Sequence, residues 1–228
     1  MATDLTFPTQ GGDYDGINVI EQQDNSFLIQ NTDGSTITDQ TLKLASADGS
    51  AIKAEFVSKD PTVLKDTRVE GSDAKDILTI GGATSNGVIK TFEGDDRVKT
   101  EGDTEDSAIR TGSGADRSVN KGDVENSTFN LGAGDDTAKF LGDVKNSSIQ
   151  MGEGADRLIF GGDVKNTKVY LGSDADIDRI YIDKNADFKG LQIAGAGEGD
   201  LLFIGSSKYV YDPDGNEWIN SDGDVIKF

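Results

Sequence analysis

Aspartates recur at fixed spacing in glycine-rich turns, and they are the residues of this chain best suited to chemistry. Five copies of the turn end in Asp96, Asp116, Asp136, Asp156 and Asp176, and the clearest read GSGAD, GAGDD and GEGAD. If the copies stack about 4.8 Å apart, neighbouring carboxylates repel by about 1 kcal/mol in bulk water and more at lower dielectric. Ca²⁺ takes six to eight oxygen ligands, which carboxylates and main-chain carbonyls can supply. The spacing therefore predicts a candidate calcium site at this edge.

Two other arrangements of the same residues remain open. A second column of aspartates begins the other half of each repeat and is a further candidate site for cation binding. Its members are Asp103, Asp123, Asp143 and Asp163. Alternatively, each aspartate accepts N–H groups within its own turn, and arginines directly after the turns balance the charge; these are Arg97, Arg117 and Arg157. Asn126, Asn146 and Asn166 are expected to form a side-chain amide ladder rather than to bind a metal.

The turns belong to a repeat of twenty residues that spans 81–180. The frames GDVENSTFNLGAGDDTAKFL and GDVKNSSIQMGEGADRLIFG follow one another without insertion. A fixed period of this length is typical of a stacked solenoid. We therefore expect like residues to form straight columns along the stack.

Each repeat divides into two halves, and each half runs from a turn into a short alternating strand. Alternation with period two indicates one buried face. Five columns of residues twenty apart are predicted to point inward, and their first members are Ser107, Ile109, Thr111, Val98 and Thr100. The column that begins at Thr100 ends at Ile180. Val124, Val144 and Val164 are expected to fill one corner. Glycine recurs too often for helix. The prediction is an all-β fold, a β-roll-like parallel β-solenoid with two short strands per 20-residue coil.

The regular repeat is flanked by segments of different composition. We expect an N-terminal β module at 1–60, with hairpin turns at Asp33-Gly34 and Asp48-Gly49, a solenoid at 61–205, and a C-terminal aromatic hairpin cap at 206–228 that contains Trp218. Open solenoid ends would expose unpaired strand edges. Both flanking segments are therefore predicted to cap the stack.

Charge and composition exclude several functions. A net charge of −20 argues against binding nucleic acid or an anionic membrane, which need Lys and Arg. The chain has no cysteine and no histidine, so thiolate sites and Ser-His or Cys-His catalysis are excluded. No apolar run is long enough to insert into a membrane, and no secretory signal is visible at the first residues. We expect no enzymatic activity.

The glycine-aspartate turns resemble the calcium-binding RTX (hemolysin-type) repeat, G-G-x-G-x-D-x-U-x. The pentapeptides at 112–116, 132–136 and 152–156 carry this resemblance. It implies a parallel β-roll with Ca²⁺ between successive turns. The implied ligands are Asp116, Asp136 and Asp156, with main-chain carbonyls of the glycine-rich segments at Gly114, Gly134 and Gly154.

The repeat style of 81–205 also resembles virion structural proteins of tailed phages. That resemblance implies a non-enzymatic spacer or decoration component of a capsid or tail surface, about six coils long, with other virion proteins as partners and possible homo-oligomers.

A second class is a secreted RTX-like surface or matrix protein, exported by a type I system and located outside the cell or at its surface. A third class, a β-helical polysaccharide lyase, is disfavoured because no paired acid and base stands outside the repeats.

Overall fold

The structure is a computed structural model that describes residues 12–14, 16–21, 26–44, 51–172 and 174–228. Within these ranges every regular element is a β-strand. No helix in the described part of the chain is long and apolar enough to cross a bilayer. The predicted all-β class is confirmed.

The strands follow one another as two leading strands, a series of coils and a terminal set. The leading strands are β1 (Gly12–Tyr14) and β2 (Ile17–Glu21). The coils contain β3 (Phe27–Asn31), β4 (Ile37–Thr38) and β5 (Thr41–Lys43); β6 (Ile52–Phe56), β7 (Thr62–Lys65) and β8 (Arg68–Glu70); β9 (Asp76–Ile80), β10 (Ala83–Ser85) and β11 (Val88–Lys90); β12 (Arg97–Thr100), β13 (Thr104–Glu105) and β14 (Ala108–Ser113). They continue with β15 (Arg117–Asn120), β16 (Val124–Glu125) and β17 (Thr128–Ala133); β18 (Thr137–Phe140), β19 (Val144–Lys145) and β20 (Ser148–Glu153); β21 (Arg157–Phe160), β22 (Val164–Lys165) and β23 (Lys168–Tyr170); β24 (Arg179–Ile182) and β25 (Gln192–Ala194). The terminal set is β26 (Leu201–Ile204), β27 (Ser207–Asp212), β28 (Glu217–Asn220) and β29 (Val225–Ile226).

Parallel pairing between successive coils builds three sheets. Among the described residues the long sheet has 14 strands and takes the first strand of every coil. The short sheet there has 7 strands (β4 to β22), and the third sheet has 8 (β5 to β25). Arg97 pairs with Arg117, Arg117 with Thr137, and Thr137 with Arg157, so partners are twenty residues apart. The parallel β-solenoid is confirmed. The third sheet shows about eight turns rather than the six expected.

The prediction of two strands per coil is wrong, because every coil from β3 to β23 has a third, short strand. Val124 and Val144, expected to fill a corner, lie in β16 and β19 and pair directly with each other. Their side chains are buried, whereas Glu125 in the same strand is exposed. A strand of two residues shows too little alternation to be distinguished from a corner in the sequence.

The predicted inward columns form the core. The columns headed by Ser107, Ile109 and Thr111 are buried in every copy, as are those headed by Val98 and Thr100. Aromatic rings continue the contact between coils, since the Phe140 ring lies 5.6 Å from that of Phe160 and 4.9 Å from that of Phe129. Stacking of identical columns therefore supplies a continuous core along the axis, as expected of a solenoid.

A two-residue insertion changes the register after the last regular repeat. Leu158 pairs with Ile180 and Phe160 with Ile182, so the step here is 22 residues. The prediction that Ile180 continues the Phe160 column is therefore wrong, and Ile180 continues the Leu158 column. The insertion is absorbed in the turn before β24, which leaves the strands in contact.

The N-terminal segment shares the sheets of the solenoid. Strands β3, β4 and β5 pair in parallel with β6, β7 and β8, and only β1, β2 and β3 pair antiparallel. The hairpin expected at Asp33-Gly34 is therefore not formed, because the strands on either side of it join different sheets. The turn at Asp48-Gly49 lies outside the described residues. Where the N-terminal module ends stays a prediction.

The C-terminal strands add to the long sheet in antiparallel order. Strands β26 to β29 pair successively with their neighbours. Trp218 is buried and its ring lies 5.2 Å from that of Tyr211. The expected aromatic antiparallel cap is thus present.

Candidate functional site

Four of the five aspartates predicted in the glycine turns lie at the start of the long-sheet strands and point inward: Asp96, Asp116, Asp136 and Asp156. Asp136 precedes Ala138 and Phe140 by two and four residues, and all three side chains are buried because alternate residues of a strand share a face. Asp96, Asp116 and Asp156 are likewise only 1–2% exposed. The site is therefore a column inside the solenoid, beside the turns.

Hydrogen bonds join this column from coil to coil. The N–H of Asp116 donates to Oδ1 of Asp136 at 2.8 Å, and the N–H of Asp136 donates to Oδ1 of Asp156 at 2.8 Å. The same contact recurs throughout the aspartate ladder, which consists of Asp76, Asp96, Asp116, Asp136, Asp156, Asp178 and Asp200. From Asp96 to Asp200, Oδ1 of each carboxylate therefore holds the backbone of the preceding coil, whereas a bond within its own turn was the expected alternative.

The second carboxylate oxygen has a partner only near the ends of the aspartate ladder. Oδ2 of Asp76 accepts the N–H of Ser72, and Oδ2 of Asp200 accepts that of Gly197. Four buried Oδ2 atoms have no hydrogen-bond partner among the described residues, those of Asp96, Asp116, Asp136 and Asp156. A buried polar atom without a partner is destabilising by about 1–3 kcal/mol, and by more when it is charged.

Burial raises the pKa of these carboxyl groups because it disfavours the charged form. The pKa rises to about 8 for Asp136 and Asp156, and to about 7 for Asp96 and Asp178. Repulsion from the neighbouring carboxylates acts in the same direction. A proton on Oδ2 or a bound cation can each neutralise the column, and the two compete for the same oxygen.

Asp176 does not belong to the aspartate ladder. It is exposed, and the N–H of Asp156 donates instead to Oδ1 of Asp178 at 2.8 Å. The two-residue insertion that moves Ile180 also moves Asp178 into the place expected for Asp176. Asp178 and Asp200 were missed because their spacing departs from twenty, whereas Asp76 lies twenty residues before Asp96 and could have been assigned.

The arginines after the turns do not balance the charge of the aspartate ladder. Arg117 follows Asp116 in the strand, and it is exposed on the opposite face of the long sheet. Consecutive strand residues point to opposite faces, so the alternation already excluded this pairing. The hypothesis of arginine-balanced aspartates in the turns is therefore wrong.

The second column of aspartates lies outside the core and is also bonded from coil to coil. Oδ1 of Asp103 accepts the N–H of Asp123 at 2.8 Å, and Oδ1 of Asp123 accepts that of Asp143 at 2.8 Å. Asp143 and Asp163 in addition form ion pairs with Lys145 and Lys165. These groups are exposed or half-buried, so they place negative charge on the surface.

The asparagine column is explained chiefly by backbone conformation. Asn126, Asn146 and Asn166 have φ of 51°, 50° and 50°, the left-handed region that asparagine and aspartate tolerate best among non-glycine residues. The expected amide ladder forms in one place, where Nδ2 of Asn166 donates to Oδ1 of Asn146 at 3.4 Å.

The turn glycines predicted to lend carbonyls to calcium lie close to the next coil. Gly114, Gly134 and Gly154 have φ of 133°, 125° and 116°. In the described part of the chain, no three acidic side chains converge on a point suited to a metal ion. A cation at the partnerless Oδ2 atoms would need main-chain carbonyls to complete the six to eight oxygens of Ca²⁺.

The fold and this column define the protein as a parallel β-solenoid with an internal aspartate ladder. Comparison with known proteins finds no matching family model, no similar curated protein and no matching solved structure.

Proposed function

We propose that this protein is a non-enzymatic structural component, a rigid spacer or decoration protein of a larger assembly, and in particular of a phage virion. The observation that carries the proposal is the uninterrupted parallel stack of about eight coils. At about 4.8 Å per coil the stack is about 40 Å long. Columns of buried side chains and coil-to-coil carboxylate bonds run along it, which suits a stiff element that sets a distance between partners.

The test of this proposal is the composition of purified particles. Phage particles from the source of this chain are banded by density and their proteins identified by mass spectrometry. We expect this protein at a fixed copy number relative to the major capsid protein. Its absence from every particle fraction would contradict a virion role, and its neighbours in the genome should then encode an exporter rather than capsid or tail proteins.

A second candidate function is that of an extracellular RTX-like calcium-binding surface or matrix protein exported by a type I system. The partnerless Oδ2 atoms of Asp96, Asp116, Asp136 and Asp156 support it, because they are buried oxygens without a counter-charge. Surface-assembly proteins would then be the partners.

Calcium is expected to stabilise the fold at pH 8 and much less at pH 5. Protons occupy the Oδ2 atoms at the lower pH, since the pKa of Asp136 is about 8, and ligand binding to the folded state alone raises stability. The measurement is the melting temperature with millimolar Ca²⁺ and after chelator, at both pH values. Asp136→Asn should reduce the Ca²⁺ response. An unchanged melting temperature in the native chain would contradict calcium binding.

A further inference from the structure

The outward face of the long sheet between β9 and β26 is basic in a protein of net charge −20. None of its outward positions from β9 to β26 is acidic; they are Ile77, Thr79, Arg97, Lys99, Arg117, Val119, Thr137, Lys139, Arg157, Ile159, Arg179, Tyr181, Leu201 and Phe203. This face therefore differs in sign from the molecule as a whole, which indicates a partner of negative charge.

Two arginines on this face lack a counter-charge. Arg97 and Arg117 are exposed and lie on directly paired positions of β12 and β15, about 4.8 Å apart along the axis. Neither forms an ion pair with any residue that the structure describes, whereas the nearby Lys99 pairs with Glu101. Two guanidinium groups so close repel each other, and a pair of carboxylates placed opposite would relieve this.

Carboxylates of that spacing are found on the outward side of the short sheet in the same two coils. We call this the acidic patch; it consists of Asp103, Glu105, Asp106, Asp123 and Glu125, all exposed. Glu105 and Glu125 lie on directly paired positions of β13 and β16. No member forms an ion pair among the described residues, although Lys145 and Lys165 in later coils pair with their own aspartates.

We propose that the arginine pair of one molecule, Arg97 and Arg117, binds the acidic patch of a second copy of this chain, with the two solenoid axes side by side and parallel. Arg97 and Glu105 lie in one coil, and Arg117 and Glu125 in the next. The coil spacing sets both the distance between the two arginines and the distance between the two glutamates. Each arginine of one molecule can therefore face one glutamate of the other.

A second copy fits this surface better than an unrelated polyanion does. The charge spacing of another polymer is set by its own repeat, whereas here both spacings come from one coil pitch. Half-buried Val119 and Ile159 lie on the same face and would gain apolar contact. Because different faces meet, the contact is heterologous and leads to a ring or a filament. It does not depend on membership of a virion.

The test is sedimentation velocity of the purified full chain at low and at high salt. The native chain is expected to sediment as a multiple of 24.2 kDa at low salt and as a monomer at high salt. The variant Arg97→Glu/Arg117→Glu should be monomeric under both conditions, and so should Glu105→Lys/Glu125→Lys. Mixing the two variants should restore association, because each then offers the complementary charge that the other needs. Restoration also shows that both variants are folded.

The matched control is Lys90→Glu/Arg110→Glu, which reverses two directly paired cations on the outward face of the third sheet and should leave association unchanged. A monomeric native chain at low salt would overturn the proposal, and so would association of Arg97→Glu/Arg117→Glu at the native level. Binding of monomeric native chain to heparin, lost in Arg97→Glu/Arg117→Glu, would overturn it in favour of an anionic polymer.

Discussion

Replacing Gly132 with alanine is expected to destabilise the protein by more than about 4 kcal/mol, which puts it among the most damaging single substitutions. Gly132 has φ of 111°, and a Cβ built on it would lie 1.7 Å from the carbonyl oxygen of Gly112 in the preceding coil. The obstacle is backbone, so no side chain can move aside. Relief requires the coils to separate, which breaks the parallel pairing of β14 with β17.

The measurement is the melting temperature, with an expected fall of about 10 °C or more, or failure to obtain folded protein. Gly161→Ala is the matched control, because its nearest backbone atoms lie 3.4 Å from the added Cβ and its φ is not in the left-handed region. We expect Gly161→Ala to stay within about 1 kcal/mol of the native chain. Similar melting temperatures for the two variants would contradict the close packing of the turns.

In calcium-free buffer the stability of the native chain is expected to fall as the pH rises from about 4 to about 8. The pKa of Asp136 and of Asp156 is about 8 in the folded chain, above the unfolded value of about 3.9. The folded state thus binds more protons in this window. The stabilisation that these protons give is complete below the unfolded pKa, and it is lost as the pH rises through the folded pKa. One pKa unit corresponds to about 1.4 kcal/mol, so the linked carboxyl groups should together change stability by several kcal/mol.

Asp136→Asn isolates the aspartate ladder from the general effect of charge. Asparagine keeps the oxygen that accepts the N–H of Asp116 and remains neutral at every pH. The variant should be more stable than the native chain at pH 9 by about 1–3 kcal/mol, and should show no such gain at pH 5.

Asp135→Asn is the matched control, because it makes the same change in net charge at an exposed neighbour whose Oδ1 accepts the N–H of Ala155. Urea unfolding of the three chains in chelator at both pH values measures the difference. An equal gain in Asp135→Asn would assign the effect to net charge, and a loss in Asp136→Asn at pH 9 would show that the buried carboxylate is not destabilising.

The aspartate ladder also explains how the coils keep their register. Each member from Asp96 to Asp178 donates its N–H to the carboxylate of the next coil and accepts an N–H from the preceding one. A shift by one residue would turn Asp136 and Phe140 to the outer face and break these bonds. The carboxyl groups therefore specify the stacking through the bonds of Oδ1, and their unpartnered Oδ2 atoms are expected to make the stack sensitive to pH.

Local spacing was sufficient to predict the solenoid and its columns. The period of twenty placed Asp116, Asp136 and Asp156 in one file, and the alternation placed Phe129 and Phe140 in the core, because both patterns repeat without reference to distant residues. The same alternation places the side chains of Asp116 and Arg117 on opposite faces of the sheet. Their opposite charges and adjacent positions had suggested that the arginine balances the aspartate.

Only the tertiary structure decided which residues meet across coils. The strand at Val124 is too short to have a pattern, and Asp178 replaces Asp176 through an insertion of two residues. Strands β3, β4 and β5 join parallel sheets, although the turn at Asp33-Gly34 suited a hairpin. The partnerless Oδ2 atoms and the direct pairing of Arg97 with Arg117 likewise follow from where neighbouring coils lie. The sequence determines the order of residues within a coil, and packing between coils determines the environment of each carboxylate.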